Sequence, residues 1–173
     1  FALLGGSKPK LEQVFDKLLT WNRWWEKTRD NQGYLCWGSH PHPEALNGAG
    51  EYEGARYESG LDNSPLFDDA EYNEETHTLN MGSVGLMGFY IADCRYLAQM
   101  ADILGKDSEA TELNARARKY AAKLQTMWDD ESGIFRDVYV ADGSFSTHLA
   151  PTNFYPLIAG AATRDQAHRM IDE

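Results

Sequence analysis

The sequence has few cysteines, and this scarcity narrows the chemistry that it can carry. Cys36 and Cys94 are the only two in 173 residues, and they lie in unrelated sequence contexts. A disulfide framework needs a larger, even set of cysteines, and a structural zinc site needs closely spaced ligands. The sequence therefore indicates neither, and both cysteines are compatible with buried free thiols.

The sequence also lacks long apolar runs and an excess of basic residues. No apolar stretch approaches the roughly 20 residues that cross a membrane, so we expect no membrane partner. Lys and Arg number 16 against 27 Asp and Glu, which gives a formal net charge of -11. Nucleic acid is not an expected partner either, because its binding relies on Lys and Arg that displace phosphate counterions. Residues 1–6 lack the basic region of a signal peptide, and the sequence indicates no particular compartment.

What the sequence does contain is apolar and aromatic residues in the proportions of a folded domain. Hydrophobic residues make up 42% of the chain and aromatic residues 12%, which argues against a disordered segment. Aromatic rings on an acidic background are compatible with carbohydrate binding, since sugar faces stack on rings while carboxylates accept hydrogen bonds from hydroxyls. Taken singly, most of the five Trp and nine Tyr are better explained as core residues.

Apolar residues at helical spacing predict a largely helical chain. Helices are expected over residues 10–29, 80–104 and 109–128, where apolar side chains recur every three or four positions. Residues 105–108 (Gly-Lys-Asp-Ser) join the last two as an antiparallel hairpin. A final helix is expected to begin after Thr163, which can cap it.

Between the helices, two stretches predict other structure. Residues 34–80 have little helical periodicity and many Gly, Pro, Asn and His, so we expect a long loop, which in a compact domain is more often functional than not. Residues 133–140 alternate as a strand does, and Asp142-Gly143 predicts a hairpin turn before residues 144–147. Long loops alternating with helices indicate an all-α toroid or solenoid with a small β-hairpin, whose loops gather on one rim.

Residues 57–69 combine acids, loop formers and aromatic residues. Asp62 follows Gly60 and precedes Asn-Ser-Pro, a sequence that favours a tight turn presenting a carboxylate. Such an acid can serve as a proton donor, or it can be an Asx-turn residue without chemistry, and local composition alone favours the second interpretation. Glu58 could be a second carboxylate, an acceptor for sugar hydroxyls, or an ion-pair partner of Arg56.

Other kinds of site have weaker support in the sequence. Residues 30–33 (Asp-Asn-Gln-Gly) are too short for a calcium loop, and His40 and His42 do not match a zinc spacing, so no metal is expected. No serine lies in a Gly-x-Ser-x-Gly elbow, and no phosphate-binding loop is present, so neither a serine nucleophile nor a nucleotide cofactor is indicated.

Three ordered motifs resemble one family of enzymes. They are Trp-Gly-Ser at residues 37–39, Glu-Ser-Gly-Leu-Asp-Asn-Ser-Pro at 58–65, and Pro-Thr-Asn-Phe-Tyr-Pro-Leu at 151–157. In this order they resemble the catalytic domain of glycoside hydrolase family 63, which includes processing α-glucosidases and the hydrolases of mannosylglycerate and glucosylglycerate. The Glu-Ser-Gly-x-Asp core is also similar to the trehalases. The resemblance extends from about residue 21 to the end of the chain.

This resemblance implies a fold, a reaction and a set of site residues. Members fold as an (α/α)6 barrel and hydrolyse α-glycosidic bonds with inversion, without a cofactor, on oligosaccharides or small glycosides. By resemblance Asp62 is the general acid that protonates the leaving glycosidic oxygen. The residues implied to line the glycone pocket are Trp37, Tyr57, Glu58, Gly60 and Asn63, with Trp24 or Trp25 as further candidates.

The resemblance also implies that part of the catalytic machinery is absent from this sequence. Inversion requires a second carboxylate, and in the family this base is a Glu well downstream of the third motif. Glu173 follows that motif too closely to be this residue. We therefore expect residues 1–173 to be the N-terminal portion of a single (α/α)6 domain, inactive alone and completed by the rest of the barrel. The calcium loop of some relatives is reduced here to residues 30–33.

Two interpretations of another class stay open at this stage. The chain could be a non-catalytic carbohydrate-binding or scaffold piece, in which Asp62 and Trp37 only hold a sugar. It could also be a helical-repeat interaction protein, although its segments differ in length more than repeats do. The sugar, the linkage and the aglycone are not indicated by the sequence.

Overall fold

The computed structural model describes residues 7–40 and 50–172, and it is mostly helical with a small sheet. The α-helices of this described part are α1 (Lys8–Arg29), α2 (Glu51–Ser59), α3 (Val84–Leu104), α4 (Asp107–Leu124), α5 (Tyr155–Ile158) and α6 (Arg164–Asp172). Short 3-10 turns occur at Pro65–Phe67, Gln125–Met127 and Pro151–Phe154. None of the helices described is long and apolar enough to cross a membrane.

The long helices form where the periodic pattern predicts them. Helix α1 has a proline in its first turn and ends at Arg29, two residues longer at its start than expected. Helix α3 begins after Ser83, whose hydroxyl accepts a hydrogen bond from the Leu86 amide, and it ends at Gly105 in the left-handed conformation. Helix α4 follows at once and packs antiparallel on α3. The predicted helical hairpin is therefore confirmed.

In the described part of the chain the strands form one small sheet and one separate hairpin. They are β1 (Asp30–Asn31), β2 (Tyr34–Gly38), β3 (Tyr72–Asn73), β4 (Thr78–Gly82), β5 (Trp128–Asp129), β6 (Ile134–Phe135) and β7 (Val138–Tyr139). The sheet has the order β1-β2-β4-β3, with β7 also pairing with β4, and every pairing is antiparallel. Strands β5 and β6 pair with each other.

The core lies on both sides of this sheet and along α3. One cluster joins α3, α4 and β2, with Met87, Ile91 and Tyr120 almost fully buried. A smaller cluster around Phe67 and Met81 covers the side of the sheet on which α2 packs. Trp37, at the end of β2, contacts both clusters. The two clusters together hold the end of β2 in place between α3 and α2.

Two expectations about the regions between the helices are wrong. Residues 34–80 are not a long unstructured loop, because they contain α2 and three strands. Residues 133–140 are not one strand of a simple hairpin, because β6 pairs back to β5 whereas β7 pairs with β4. The turn at Asp142-Gly143 is present and brings Val138 opposite Phe145 in a single bridge. These strands are short, and packing against neighbouring elements decides with which strand each one pairs. The alternation of apolar and polar residues along the sequence does not indicate these partners.

The ends of two helices also differ from the sequence prediction. Helix α3 begins at Val84 rather than at Asn80, since residues 78–82 pair as β4 in the sheet. Helix α4 ends at Leu124, and Trp128 belongs to β5. The last helix is as predicted, because Thr163 and Gln166 exchange the two hydrogen bonds of a capping box at its start.

Candidate active site

The Asp62 turn is built by hydrogen bonds at the end of α2. Gly60 adopts φ 69°, a left-handed conformation that costs glycine little, and its amide donates to the Tyr57 carbonyl at 3.1 Å. The Ser59 hydroxyl donates to the Arg56 carbonyl at 2.6 Å and accepts from the Leu61 amide at 3.0 Å. The chain therefore leaves α2 in a fixed direction.

The far side of the turn is fixed in the same way. The Ser64 amide donates to the Leu61 carbonyl at 2.9 Å, and the Ser64 hydroxyl accepts from the Leu66 amide at 3.2 Å. Asp62 and Asn63 lie between these bonds, and both are exposed. The predicted turn is confirmed, and its two polar side chains point away from the core.

A cleft of about 200 Å³ lies beside this turn. Its lining comprises Trp37, Ser59, Gly60, Leu61, Ser83, Gly85, Phe89, Thr152 and Tyr155. These residues come from all three sequence motifs and from the start of α3. Segments more than a hundred residues apart in sequence therefore meet at one surface, and Asp62 follows directly after a lining residue.

The structure brings some of the predicted site residues together and leaves others apart. Trp37 and Gly60 line the cleft. Tyr57 is half exposed at the end of α2, and Asn63 and Asp62 are exposed at the turn, so these three lie at the edge rather than in the lining. Glu58 is turned towards α1 and not towards the cleft lining. The predicted site residues thus lie near one another, with Trp37 and Gly60 in the cleft wall and Tyr57, Asp62 and Asn63 on an exposed rim.

Glu58 is paired with Arg29, not with the nearby Arg56. The guanidinium Nε and Nη2 of Arg29 donate to the two carboxylate oxygens of Glu58 at 2.8 and 2.6 Å. The Gly38 amide donates to Oε2 of the same carboxylate at 2.8 Å. Arg56 instead lies 3.6 Å from Glu53. The alternative in which Arg56 is the partner of Glu58 is therefore wrong.

The Trp37 ring is held by a hydrogen bond to the Ser83 hydroxyl and by contact with the Trp25 indole. Its Nε1 donates to the Ser83 hydroxyl at 3.2 Å. Its ring meets Trp25 edge to face with centroids 5.8 Å apart. The ring is half buried, so one part is packed while another faces the cleft. Trp24, the other candidate, stacks on Trp21 and lies under Arg29 instead.

A second cleft of about 310 Å³ adjoins the first and shares Trp37 and Phe89 with it. Its other lining residues are Trp21, Trp25, Leu86, Tyr90 and Asp93. The Asp93 carboxylate accepts a hydrogen bond from the Asn22 amide at 2.7 Å. Burial raises the pKa of Asp93 above its ordinary value, against the opposing effect of that hydrogen bond. This aromatic cleft places a carboxylate among rings.

The start of α3, which forms the floor of the first cleft, rests on a buried acid. Asp137 is 1% exposed, and its Oδ1 accepts a hydrogen bond from the Val84 amide at 2.7 Å. Its Oδ2 has no hydrogen-bond partner among the described residues. Burial raises the pKa of Asp137 to about 7, although the Val84 amide favours the ionised form.

The residues considered as metal ligands have other roles or lie outside the described part. Asp30 accepts a hydrogen bond from the Gly33 amide within its own turn and another from the Tyr120 hydroxyl, which ties β1 to α4. His40 is described, whereas residues 41–49, including His42, are not. Within residues 7–40 and 50–172 there is no grouping of three or more His, Cys, Asp or Glu that could hold a metal ion.

Several residues of the site were not singled out from the sequence. In the sequence Arg29 and Ser83 mark only the ends of helices, and Phe89 only a position within one. Such positions do not indicate which distant segment packs against them. Thr152 and Tyr155 belong to the third motif, so the motif marked their segment without assigning them a position. Only their meeting with Trp37 and Gly60 identifies them as cleft residues.

The fold is shared with solved glycoside hydrolase structures. A family 63 mannosylglycerate hydrolase from Thermus thermophilus, solved with glucose, is 21% identical with a TM-score of 0.73, over 96% of this chain and 45% of that chain. Neutral trehalase from Saccharomyces cerevisiae is 19% identical with a TM-score of 0.55, over 84% of this chain and 34% of that chain. Identities this low show a common fold alone.

Comparison of sequences gives the family. The model of the mannosylglycerate hydrolase MGH1-like glycoside hydrolase domain matches residues 1–173. The chain therefore belongs to this glycoside hydrolase family, and the resemblance to family 63 is confirmed. A cytosolic neutral trehalase from Saccharomyces cerevisiae is 40% identical over 47 residues, which are 27% of this chain and 6% of that protein. The chain spans less than half the length of each relative named here.

Proposed function

We propose that this chain is the N-terminal portion of an (α/α)6 catalytic domain that hydrolyses α-glycosidic bonds with inversion, and that Asp62 is its general acid. The observation that carries the proposal is the convergence of three separate motifs on one cleft next to Asp62. Trp37 offers a ring face for a sugar, and the turn presents a carboxylate at the edge of the same cleft. Family membership supplies the reaction class.

In this mechanism Asp62 acts at the leaving group. A sugar ring lies against Trp37, with its glycosidic oxygen towards the turn. As the bond from C1 to this oxygen breaks, the Asp62 carboxylic acid gives the oxygen its proton, and the aglycone leaves as a neutral alcohol. Water attacks C1 from the opposite face and loses its proton to a second carboxylate roughly 6.5 to 9.5 Å from the acid. The residues after the third motif of the parent domain supply this base.

Exposed apolar stripes on two helices support the proposed incomplete domain. On α1 and α3 these side chains recur at helical spacing, so each set forms one stripe. They are Val14, Leu18, Trp21, Phe89, Tyr96 and Ile103, and each is between 38% and 62% exposed. Trp21 and Phe89 line the same aromatic cleft. Further helices of the parent domain would bury these stripes.

The acid assignment is tested by replacing Asp62 with Asn in the protein that carries the whole domain. Hydrolysis of α-glucosides and glycosylglycerates is expected to fall by about 10² to 10⁴, the usual contribution of a general acid. Hydrolysis of α-glucosyl fluoride should be spared, because fluoride leaves without protonation. The matched control is Asp68→Asn, which removes another exposed acid of the same segment. Equal losses on both kinds of substrate would contradict the assignment.

The stereochemical part of the proposal has its own measurement. Proton NMR of the first turnover shows which anomer forms from an α-linked substrate. The β-anomer is expected, since a single displacement inverts C1. Initial formation of the α-anomer would contradict the inverting mechanism while leaving Asp62 as a candidate acid.

A second function is favoured by the composition of the cleft itself. Its lining contains aromatic rings and hydroxyls but no carboxylate among the described residues. Such a wall can hold a sugar without cleaving it, as a carbohydrate-binding or scaffold piece does. Sugar binding that is weakened by Trp37→Ala, without hydrolysis by the whole domain, would favour this alternative.

A further inference from the structure

We propose that Arg29 is a positioning residue for Asp62 and that it acts through Glu58. The inference rests on the proposed function, because the role of Asp62 as an acid belongs to that proposal. The observations that support it concern three elements, the ends of α1, β2 and α2, which meet at one buried ion pair.

Arg29 is enclosed in a way that fixes the plane of its guanidinium. Its side chain is 3% exposed, and its Cζ lies 4.7 Å from the centre of the Trp24 ring. Its Nη1 donates to the Thr28 carbonyl at 3.1 Å. A Cβ atom added to Gly38 would lie 2.9 Å from Nε and Cζ, so the backbone of β2 closes against the guanidinium. These contacts restrain the plane of the guanidinium, with its Nε and Nη2 donors facing Glu58.

Those donors meet Glu58 in a bidentate pair. Two parallel hydrogen bonds between a guanidinium and a carboxylate fix both distance and orientation, which a lysine cannot do. The Gly38 amide adds a third hydrogen bond to this carboxylate. The last turn of α2 is thereby tied both to α1 and to β2. Hydrogen bonds from described residues therefore occupy three of the four lone pairs of the Glu58 carboxylate, so most of its accepting capacity is used within the protein.

The connection from Glu58 to Asp62 is short and hydrogen bonded. Only three residues separate them, and the Gly60 and Leu61 amides bond back to Tyr57 and Ser59. The Asp62 side chain is exposed, so no packing of its own holds it. Its position is therefore set by the backbone of the turn, which is anchored at the end of α2 on one side and at Ser64 on the other. Arg29 holds the first of these two anchors through Glu58.

This arrangement has a consequence for the cleft. Trp37 directly precedes Gly38, so the hydrogen bond from Gly38 to Glu58 links the ring that faces the cleft to the turn that bears Asp62. A displacement of about 1 Å between a substrate and a reacting group can cost on the order of 10²-fold in rate. Arg29 fixes this separation without touching the substrate.

The structural step is tested by amide hydrogen exchange in the protein that carries the whole domain. In Arg29→Met, the amides of Gly38, Gly60, Leu61 and Ser64 should exchange on the order of tenfold faster, because the end of α2 is released. Arg116→Met is the matched control, since Arg116 of α4 pairs with Glu26 of α1 in a comparable ion pair between elements away from the turn. Exchange that accelerates equally in both variants would overturn the proposal.

A second variant guards against misfolding of the first. Glu58→Gln keeps the size of the side chain and removes the charge that Arg29 pairs with. It should accelerate exchange at the same four amides while those of α4 keep their wild-type rates. If the four amides stay as protected as in the wild type, Arg29 and Glu58 do not hold the turn.

The catalytic step is tested in the protein that carries the whole domain. Arg29→Met is expected to lower kcat for alkyl glycosides on the order of 10²-fold, with KM changed little and α-glucosyl fluoride hydrolysis spared. Arg29→Lys should recover only part of the loss. A loss that is equal for both kinds of substrate would contradict positioning of the acid.

The two proposals can fail separately. If the wild type and Asp62→Asn hydrolyse alkyl glycosides at equal rates, the proposed function is wrong. The hydrogen-exchange result still decides whether Arg29 holds the turn.

Discussion

The rim and the floor of the cleft place their carboxylates in opposite environments. On the rim, residues 57–63, Asp62 is exposed and lies at the apex of a turn whose backbone holds it. Beneath the floor, residues 83–85, Asp137 is almost fully buried and supports the first turn of α3. The Asp62 carboxylate is exposed to a ligand, whereas the Asp137 carboxylate accepts a hydrogen bond from the backbone of α3. The difference separates a candidate for chemistry from a structural acid.

The largest expected effect on stability comes from the buried acid. The pKa of Asp137 is about 7 in the folded chain and near 3.8 in the unfolded chain. Between these values the folded state binds more protons, so the free energy of unfolding falls as the pH rises. The contribution of Asp137 to the free energy of unfolding is fully present below about pH 4 and is lost as the pH rises through 7. The loss is on the order of 4 kcal/mol.

Asp137→Asn should remove this part of the pH dependence. Urea unfolding at pH 5, 6, 7 and 8 measures it, and the quantity to compare is the difference between wild type and variant, since other acids also titrate. Asp142→Asn is the control, because that exposed acid lies in the following turn and should keep the wild-type slope. A variant with the wild-type slope would show that the Asp137 carboxyl group does not cause this pH dependence.

A smaller effect is expected from filling the floor at Gly85. A Cβ atom there would lie 2.7 Å from Cβ of Thr152, closer than packed atoms approach. Gly85→Ala should therefore force the start of α3 away from the third motif and destabilise the chain by about 1 to 3 kcal/mol. Thermal and urea unfolding check this. A variant as stable as the wild type would show that the floor is looser than its contacts indicate.

The matched change on the rim should have the smallest effect. At Gly60 an added Cβ meets nothing within 4 Å among the described residues, so the cost is only that of a left-handed conformation in a residue with a side chain. Gly60→Ala is expected to destabilise the chain by about 1 kcal/mol. The same unfolding measurements apply. A loss larger than that of Gly85→Ala would reverse the order of rim and floor.

Most of the helical framework could be predicted from the sequence, whereas the region between the helices could not. Helices α1, α3 and α4 are long enough for the three-to-four-residue spacing of their apolar side chains to be recognised in the sequence. Helix α2 has only nine residues, includes Gly54 and forms against the sheet. The five-stranded sheet is built from strands of two to five residues, too short for alternation to distinguish them from loops.

The candidate site divides along similar lines. The turn at Asp62 follows from Gly60 and from the Asn-Ser-Pro that comes after Asp62, because these residues favour that backbone locally. The partner of Glu58 does not follow from the sequence, since the adjacent Arg56 is the obvious cation and Arg29 lies 29 positions away. Nor could the burial of Asp137 be predicted, because the Val84 amide that bonds to its carboxylate lies 53 positions away in sequence.

By itself, then, the sequence determined the long amphipathic helices, the Asp62 turn and the three motifs that identify the family. Each depends on residues close together in the chain, where periodicity and turn chemistry act. The tertiary structure alone decided that Trp37, Gly60, Thr152 and Tyr155 share a cleft and that Arg29 holds Glu58. These contacts arise from packing between distant segments, because an apolar or charged side chain specifies that it needs a partner but not which one.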